Sequence, residues 1–181
     1  MMIVSFALFV FRPFVIKRLV LRADGYLGFD MYQDAIRTYR KALVLDSQNT
    51  KAGNWLGYAY RSMGDIDKAI AAHQKAAEID PQNLLASYSL GMIYAASKDF
   101  KIAREYFSRA SLTPPEHNKK ELGRYYDFYN KSSLEMLSIC QEKLGQIEEA
   151  LKTCEKILLN YPDDKFAKKR IEGLRLLRNK N

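Results

Sequence analysis

Leu56-Gly57-Tyr58-Ala59-Tyr60 and Leu90-Gly91-Met92-Ile93-Tyr94 share the pattern Leu-Gly-x-x-Tyr, and they lie 34 residues apart. The correspondence continues downstream at the same interval: Ala69 pairs with Ala103, Ala76 with Ala110, and Pro81 with Pro115. One step back from Ala69 and Ala76 falls on Ala35 and Ala42, with Tyr26 at the Tyr60 position. A single Leu-Gly-x-x-Tyr is weak evidence, but this many matched positions at one period define an internal repeat. Pro81 and Pro115 cannot continue a helix interior, so they mark breaks between units. Gly64-Asp65 supplies a turn inside the second unit.

The period and these residues resemble the tetratricopeptide repeat. That resemblance implies two antiparallel helices, A and B, per unit, which bury their apolar faces only by stacking on neighbours. It also gives the signature residues their roles. Gly57 and Ala69, or Gly91 and Ala103, are small so that two helix axes approach closely; Tyr60, Tyr94 and Phe107 fill the wider space nearby. His73 stands at the helix-B position of Phe107 and reads as a packed core residue.

A fourth unit follows an irregularity. Gly145, Ala150 and Pro162 repeat the pattern of Gly64, Ala69 and Pro81 after 81 residues where two periods would give 68. The surplus of 13 falls on residues 118–130 (NKKELGRYYDFYN), expected to lengthen the fourth unit's helix A at its N-terminal end. Here Ser138 replaces the helix-A Gly and Gln141 the Tyr. The first unit is degraded in helix A, with Arg22-Ala23 in place of Leu-Gly, while its helix B keeps a regular apolar spacing. Beyond Asp163-Asp164, an acidic start suited to a helix N-terminus, Phe166, Ala167, Ile171, Leu174 and Leu177 recur at three- and four-residue steps. The expected architecture is all-α: a solenoid of about four helix-turn-helix repeats with a C-terminal capping helix and a short apolar N-terminal segment. The boundaries are residues 1–15 for that segment, 16–49, 50–83, 84–117 and 118–164 for the repeats, and 165–181 for the cap. Of the 181 residues 48% are apolar, enough for one continuous stacked core.

Residues 1–16 (MMIVSFALFVFRPFVI) carry one charge, Arg12. No basic residue precedes the apolar run and no small-x-small site follows it, which argues against a cleaved signal peptide. As a helix the run would span roughly 24 Å, short of a typical hydrocarbon core of about 30 Å, and Arg12 and Pro13 weaken it as a span. Arg12, Lys17, Arg18 and Arg22 cluster on its C-terminal side, so an inserted segment would leave the repeats at the cytoplasmic face. Three readings stay open: a short membrane anchor, a helix packed on the first repeat, and a misplaced start or truncated anchor. The layout is similar to bacterial proteins whose N-terminal anchor presents cytoplasmic tetratricopeptide repeats to an envelope-assembly machine.

The net charge of +8 sits at the chain ends, +6 in residues 165–181 and +2 in residues 1–30, leaving the repeats between them neutral. A solvated outer face on the capping helix explains the basic tail; attraction to anionic lipid or another polyanion is the sharper alternative. Nucleic acid is not an expected partner, because no basic stripe crosses the repeats and no reader motif is present. Tyr125, Tyr126, Phe128 and Tyr129 read as packing residues of an extended helix. Cys140 and Cys154, one on each helix of the fourth hairpin, lack the companions of a metal site and read as buried free thiols. His117 reads as a solvated loop residue beside Glu116. No phosphate loop or nucleophile motif stands out, so neither a cofactor nor an enzymatic activity is expected.

The resemblance also places a partner surface. In this family helix A lines the concave face at its second, fifth, ninth and twelfth to thirteenth positions. Those are Lys51, Asn54, Tyr58, Arg61 and Ser62; then Leu85, Tyr88, Met92 and Ala95; then Ser132, Glu135, Ile139 and Glu142. Among them Asn54, Tyr58, Arg61, Tyr88, Met92, Glu135 and Ile139 are the candidate partner-binding residues, since Tyr, Arg and Met favour interfaces and such a strip suits an extended or helical peptide. Clamps of this family that grip a C-terminal carboxylate need an Asn where Trp55 stands and basic residues where Leu85 and Ser89 stand, which argues against that subtype. The expected function is a non-enzymatic adaptor binding a protein or peptide partner at the cytoplasmic face of a membrane. The alternative is a soluble regulatory or assembly subunit whose basic C-terminal helix contacts anionic lipid or nucleic acid.

Overall fold

The computed structural model describes residues 2–179, with all side chains except those of residues 2–10, 120, 121 and 124. Lys180 of the basic tail and the side chains of the first ten residues of the apolar segment therefore lie outside the description. The described chain is all-α and divides into two compact units, Met1–Pro81 and Gln82–Asn181.

The first unit holds α1 (Met2–Gly28), α2 (Tyr32–Leu45), α3 (Thr50–Ser62) and α4 (Ile66–Ile79). Each packs on the next. Their shared core is Val20, Ala23, Ala35, Tyr39, Ala42, Ala52 and Leu56, with Ile16, Tyr26, Leu27 and Tyr60 half-buried against it. Small residues dominate the contact because helix axes close enough to interlock leave no room for larger ones.

The second unit holds α5 (Leu84–Ala96), α6 (Phe100–Ser111), α7 (Pro115–Leu122), a 3₁₀ turn (Gly123–Tyr125), α8 (Tyr126–Lys143), α9 (Ile147–Asn160) and α10 (Lys165–Arg178). Ala103, Phe107, Leu137 and Cys140 form one core cluster. Leu134, Ala150, Leu151, Cys154, Ile157, Ala167, Ile171 and Leu174 form another, contributed by α8, α9 and α10.

All four hairpin turns close with the same backbone lock. The Tyr60 carbonyl accepts from Asp65 N–H at 2.9 Å and the Arg61 carbonyl from Gly64 N–H at 2.9 Å. Identical pairs join Met31 to Tyr26 and Asp30 to Leu27, Asp99 to Tyr94 and Lys98 to Ala95, and Gln146 to Gln141 and Gly145 to Glu142. This is the Schellman ending, which needs one left-handed residue. Gly64 (φ 81°) and Gly145 (φ 76°) supply it cheaply, whereas Asp30 (φ 55°) and Lys98 (φ 64°) adopt it with a side chain.

Helix starts repeat as well. Asp65 and Asp99, 34 apart, accept from Lys68 N–H and Ile102 N–H to cap α4 and α6. Asn49 and Asn83, also 34 apart, cap α3 and α5. Asp164 caps α10 by accepting from Ala167 N–H at 2.8 Å and lies 81 residues beyond Asn83, so α10 starts where the helix A of a further unit would. It packs on α9 and α8 and buries Ala167, Ile171 and Leu174.

The 13-residue surplus departs from expectation. Only part of it lengthens the helix, giving an α8 of 18 residues against 13 for α3 and α5; the rest forms the end of α7 and the 3₁₀ turn. Two residues bound α7. Pro115 opens α7 after an extended Pro114, and Gly123 ends it at φ 53°. Asn118, 3% exposed, fixes the insert in place: its Oδ1 accepts from Leu84 N–H at 3.1 Å and its Nδ2 donates to the Gln82 carbonyl at 2.9 Å. The insert thus satisfies a free amide at the start of α5.

At the N-terminus α1 is continuous from Met2 to Gly28, with Pro13 inside it. Its second half packs on α2 and α3 through Ile16, Val20, Ala23 and Leu27, so α1 and α2 make the first hairpin. Among the described residues no helix is long and apolar enough to cross a membrane.

Candidate functional site: the helix A surfaces

In the first unit the candidate surface lies on α3. Tyr58 is 36% exposed, meets Trp55 edge-on at 5.8 Å, and carries the Arg61 guanidinium 5.6 Å from its ring centre. Positions 54, 58 and 61 share one helix face by their spacing, yet their exposure differs. Asn54 is 1% exposed and faces inward, its Oδ1 3.4 Å from Nδ1 of His73. It therefore supports the hairpin and presents no contact to a partner. Lys51, at the head of the same helix, is held by Asp24 at 2.9 Å; Asp24 also accepts from the Tyr39 hydroxyl.

His73 itself is buried at 1% exposure against the backbone of Gly57. Its Nε2 has no hydrogen-bond partner among the described residues. Burial, reinforced by the Arg61 charge, pushes its pKa down to about 4, so the ring is neutral at physiological pH.

In the second unit the candidate residues lie on α5 and α8. Tyr88 of α5 stands edge-on to Phe107 (6.1 Å) and to Tyr129 of α8 (5.2 Å), and Tyr129 meets Phe128 at 5.3 Å. The four rings make a row from the core outward: Phe107 is fully buried, Tyr88 and Tyr129 are half-buried, and Phe128 is 59% exposed. Met92 packs beside Tyr88 over the same cluster. Ile139 and Glu135 are half-buried on α8. Burial pushes the Glu135 carboxyl up although Lys131 stands 3.6 Å away. Lys131 also pairs with Asp164, and Glu142 with Arg170, so two ion pairs join α8 to the start and middle of α10.

Chemistry beyond binding has few candidates. Cys140 and Cys154 are free and fully buried, but they belong to different core clusters, so the hairpin does not bring them together in one. Burial pushes the Cys140 thiol up to about 11 and raises that of Cys154, against the pull of Ser138 and Arg170. Both thiols are therefore protonated and poor nucleophiles. No group of His, Cys, Asp or Glu among the described residues could hold a metal ion.

Three family models match the sequence. One described as TPR repeat covers residues 57–97, and two described as tetratricopeptide repeat cover residues 85–117 and 132–164. Together they span a little over half of the chain. This is a tetratricopeptide repeat protein.

Tetratricopeptide repeats form a family of protein-interaction scaffolds, and solved structures share the fold. Pseudomonas aeruginosa PilF matches with a TM-score of 0.72 at 18% identity, covering 93% of this chain and 71% of that one. YrrB, described as a TPR protein with an unusual peptide-binding site, gives 0.68 at 20% identity, over 89% and 76%. The Yersinia enterocolitica type III secretion translocator chaperone SycD gives 0.61 at 17% identity, over 71% and 93%. At such identities the likeness concerns the fold. No curated protein sequence matches the chain.

Two residues of the aromatic row fall outside the positions that the tetratricopeptide frame gives. Tyr129 and Phe128 lie in the surplus residues that open the fourth unit, ahead of its counted helix A positions, so no concave position falls on them. Their signal was the aromatic cluster inside the insertion. That cluster does not pack as a block: Tyr126 is buried and donates to the Thr113 carbonyl at 3.1 Å, while Tyr125 and Phe128 are more than half exposed.

Proposed function

We propose that the chain is a non-enzymatic adaptor that holds a partner peptide on its helix A side chains and works at the cytoplasmic face of a membrane. The single observation that carries the adaptor reading is the aromatic row Phe107–Tyr88–Tyr129–Phe128, which leads from a packed core to an exposed edge. Such a row offers rigid apolar area that loses little entropy on binding. In the second unit Tyr88, Met92, Glu135 and Ile139 serve as contacts; in the first, Tyr58 and Arg61 do. The peptide-binding site described for YrrB and the chaperone role of SycD agree with this use of the fold.

The alternative is a subunit whose basic C-terminal helix contacts a polyanion. Exposed Lys165, Lys169 and Arg175 on α10 favour it. Arg170 and Arg178, however, are engaged with Glu142 of α8 and Glu148 of α9, and Lys168 pairs with Asp163 just before the helix, so half of the described basic residues of α10 already have an acidic partner.

The test is a crosslinking pull-down from native cells that compares the intact protein with a Tyr58→Ala/Tyr88→Ala/Met92→Ala variant and with Phe128→Ala. Partners lost from the variants at unchanged helicity support the adaptor. An unchanged partner list, with release from heparin at moderate salt, would favour the α10 reading.

A further inference from the structure

From Phe11 to Gly28 the helix α1 has two apolar faces, and only one of them is covered. Ile16, Val20, Ala23 and Leu27 recur at three- and four-residue steps and pack into the first unit. On the opposite side, about 180° around a helix that turns 100° per residue, stand Phe11 (62% exposed), Phe14 (64%) and Leu21 (59%), with Val15 (41%) at the edge. A helix that only packs on its neighbour keeps a polar outer face. Here the outer face combines large apolar side chains with exposed Arg18 and Arg22, and Lys17 lies beside it. No acidic residue occurs before Asp24. Arg12 is used internally: its guanidinium donates twice to the Leu45 carbonyl at the end of α2, fixing the front of α1 to the hairpin.

Apolar side chains flanked by uncompensated cations on one helix face match the interface of an anionic bilayer, where rings and aliphatic chains enter the headgroup boundary and Lys and Arg meet lipid phosphates. We propose that α1 lies in the plane of an anionic membrane surface, binding it through Phe11, Phe14 and Leu21 with Lys17, Arg18 and Arg22. The inference rests on the membrane placement proposed above and names its contact as the outer face of a peripheral helix whose inner face packs on α2, with no spanning segment required. Pro13 and the fixed Arg12 are compatible with such a helix and costly in a span.

Vesicle flotation of the full chain tests this, using phosphatidylcholine vesicles with and without phosphatidylglycerol. Binding is expected with the anionic vesicles, with release at high salt and in alkaline carbonate. Lys17→Glu/Arg18→Glu and, separately, Phe14→Ser/Leu21→Ser should each weaken it about tenfold or more. Val44→Ser, which removes an 83% exposed apolar residue of α2, should leave it unchanged. All these positions are exposed, and circular dichroism checks that the variants fold. Equal loss in Val44→Ser, equal binding to neutral vesicles, or stripe-dependent dimerisation without lipid binding would overturn the proposal. Carbonate-resistant binding would keep the membrane placement but replace the peripheral helix with an inserted one, and absence of all vesicle binding would remove both. Peptide capture by the helix A surfaces is read separately in the pull-down and is unaffected by either result.

Discussion

The ring of His73 occupies the space that a side chain on Gly57 would need: a Cβ built there would lie 2.7 Å from Nε2. The same relation recurs one period later, where a Cβ on Gly91 would lie 2.8 Å from the Phe107 ring. Both rings are buried and cannot swing aside. Gly57→Ala and Gly91→Ala should each destabilise the protein by about 1–2 kcal/mol, overpacking outweighing the better helix propensity of Ala. Urea unfolding followed by circular dichroism measures it; a gain in midpoint would show that the hairpins can open at no cost.

His73 should make the protein acid-sensitive. Its folded pKa of about 4 lies below the ordinary 6.5, so the unfolded chain binds a proton that the folded chain refuses. The stability it protects is complete above pH 6.5 and drains away as pH falls to about 4, a loss of about 3 kcal/mol. His73→Phe, which copies the Phe107 arrangement but removes the contact to the buried Asn54 Oδ1, should remove that slope at a cost of about 1–2 kcal/mol at neutral pH. Parallel unfolding curves for the two proteins from pH 7 to 4 would contradict this account.

Lys98 takes the left-handed turn position that Gly64 and Gly145 fill in neighbouring hairpins. Lys98→Gly should therefore stabilise by about 0.5–1 kcal/mol, and Gly64→Ala should cost about 1 kcal/mol. Thermal melts of the pair check the opposite signs.

Asp164 joins a helix cap to an ion pair. Burial alone would raise its carboxyl, but Lys131 and the amides of Ala167 and Phe166 outweigh burial and hold it below the usual range. Its contribution is present above the ordinary carboxylate pKa and is lost as pH drops through the lower folded value. Asp164→Ala should cost about 1–2 kcal/mol and fray α10; Asp164→Asn, which keeps the cap acceptor, should cost less. Hydrogen exchange of the Phe166 and Ala167 amides reads the fraying directly.

The repeat was legible because its constraints are local and periodic. Gly57 and Gly91 mark close approaches, Pro81 and Pro162 mark breaks, and the apolar spacing of α10 is regular. What escaped the pattern was set by tertiary context. Lys98 carries no turn signal and Asp30 only a weak one, yet both adopt the geometry of Gly64 because the flanking helices impose it. Asn54 sits at a helix-surface position by spacing, but the polar ring of His73 across the hairpin draws it inward. The insertion's path was unreadable because it depends on Asn118 reaching back to the start of α5, 34 residues away.

The four Schellman locks also bear on how quickly the chain finds its fold. Each joins residues no more than five apart, so every hairpin begins from a closure that demands almost no search. The helices then dock mainly on the elements next to them in sequence. A chain assembled from such short-range steps belongs with helical bundles, which fold in about microseconds to milliseconds. Each hairpin emerging from the ribosome can close before the one behind it has been made.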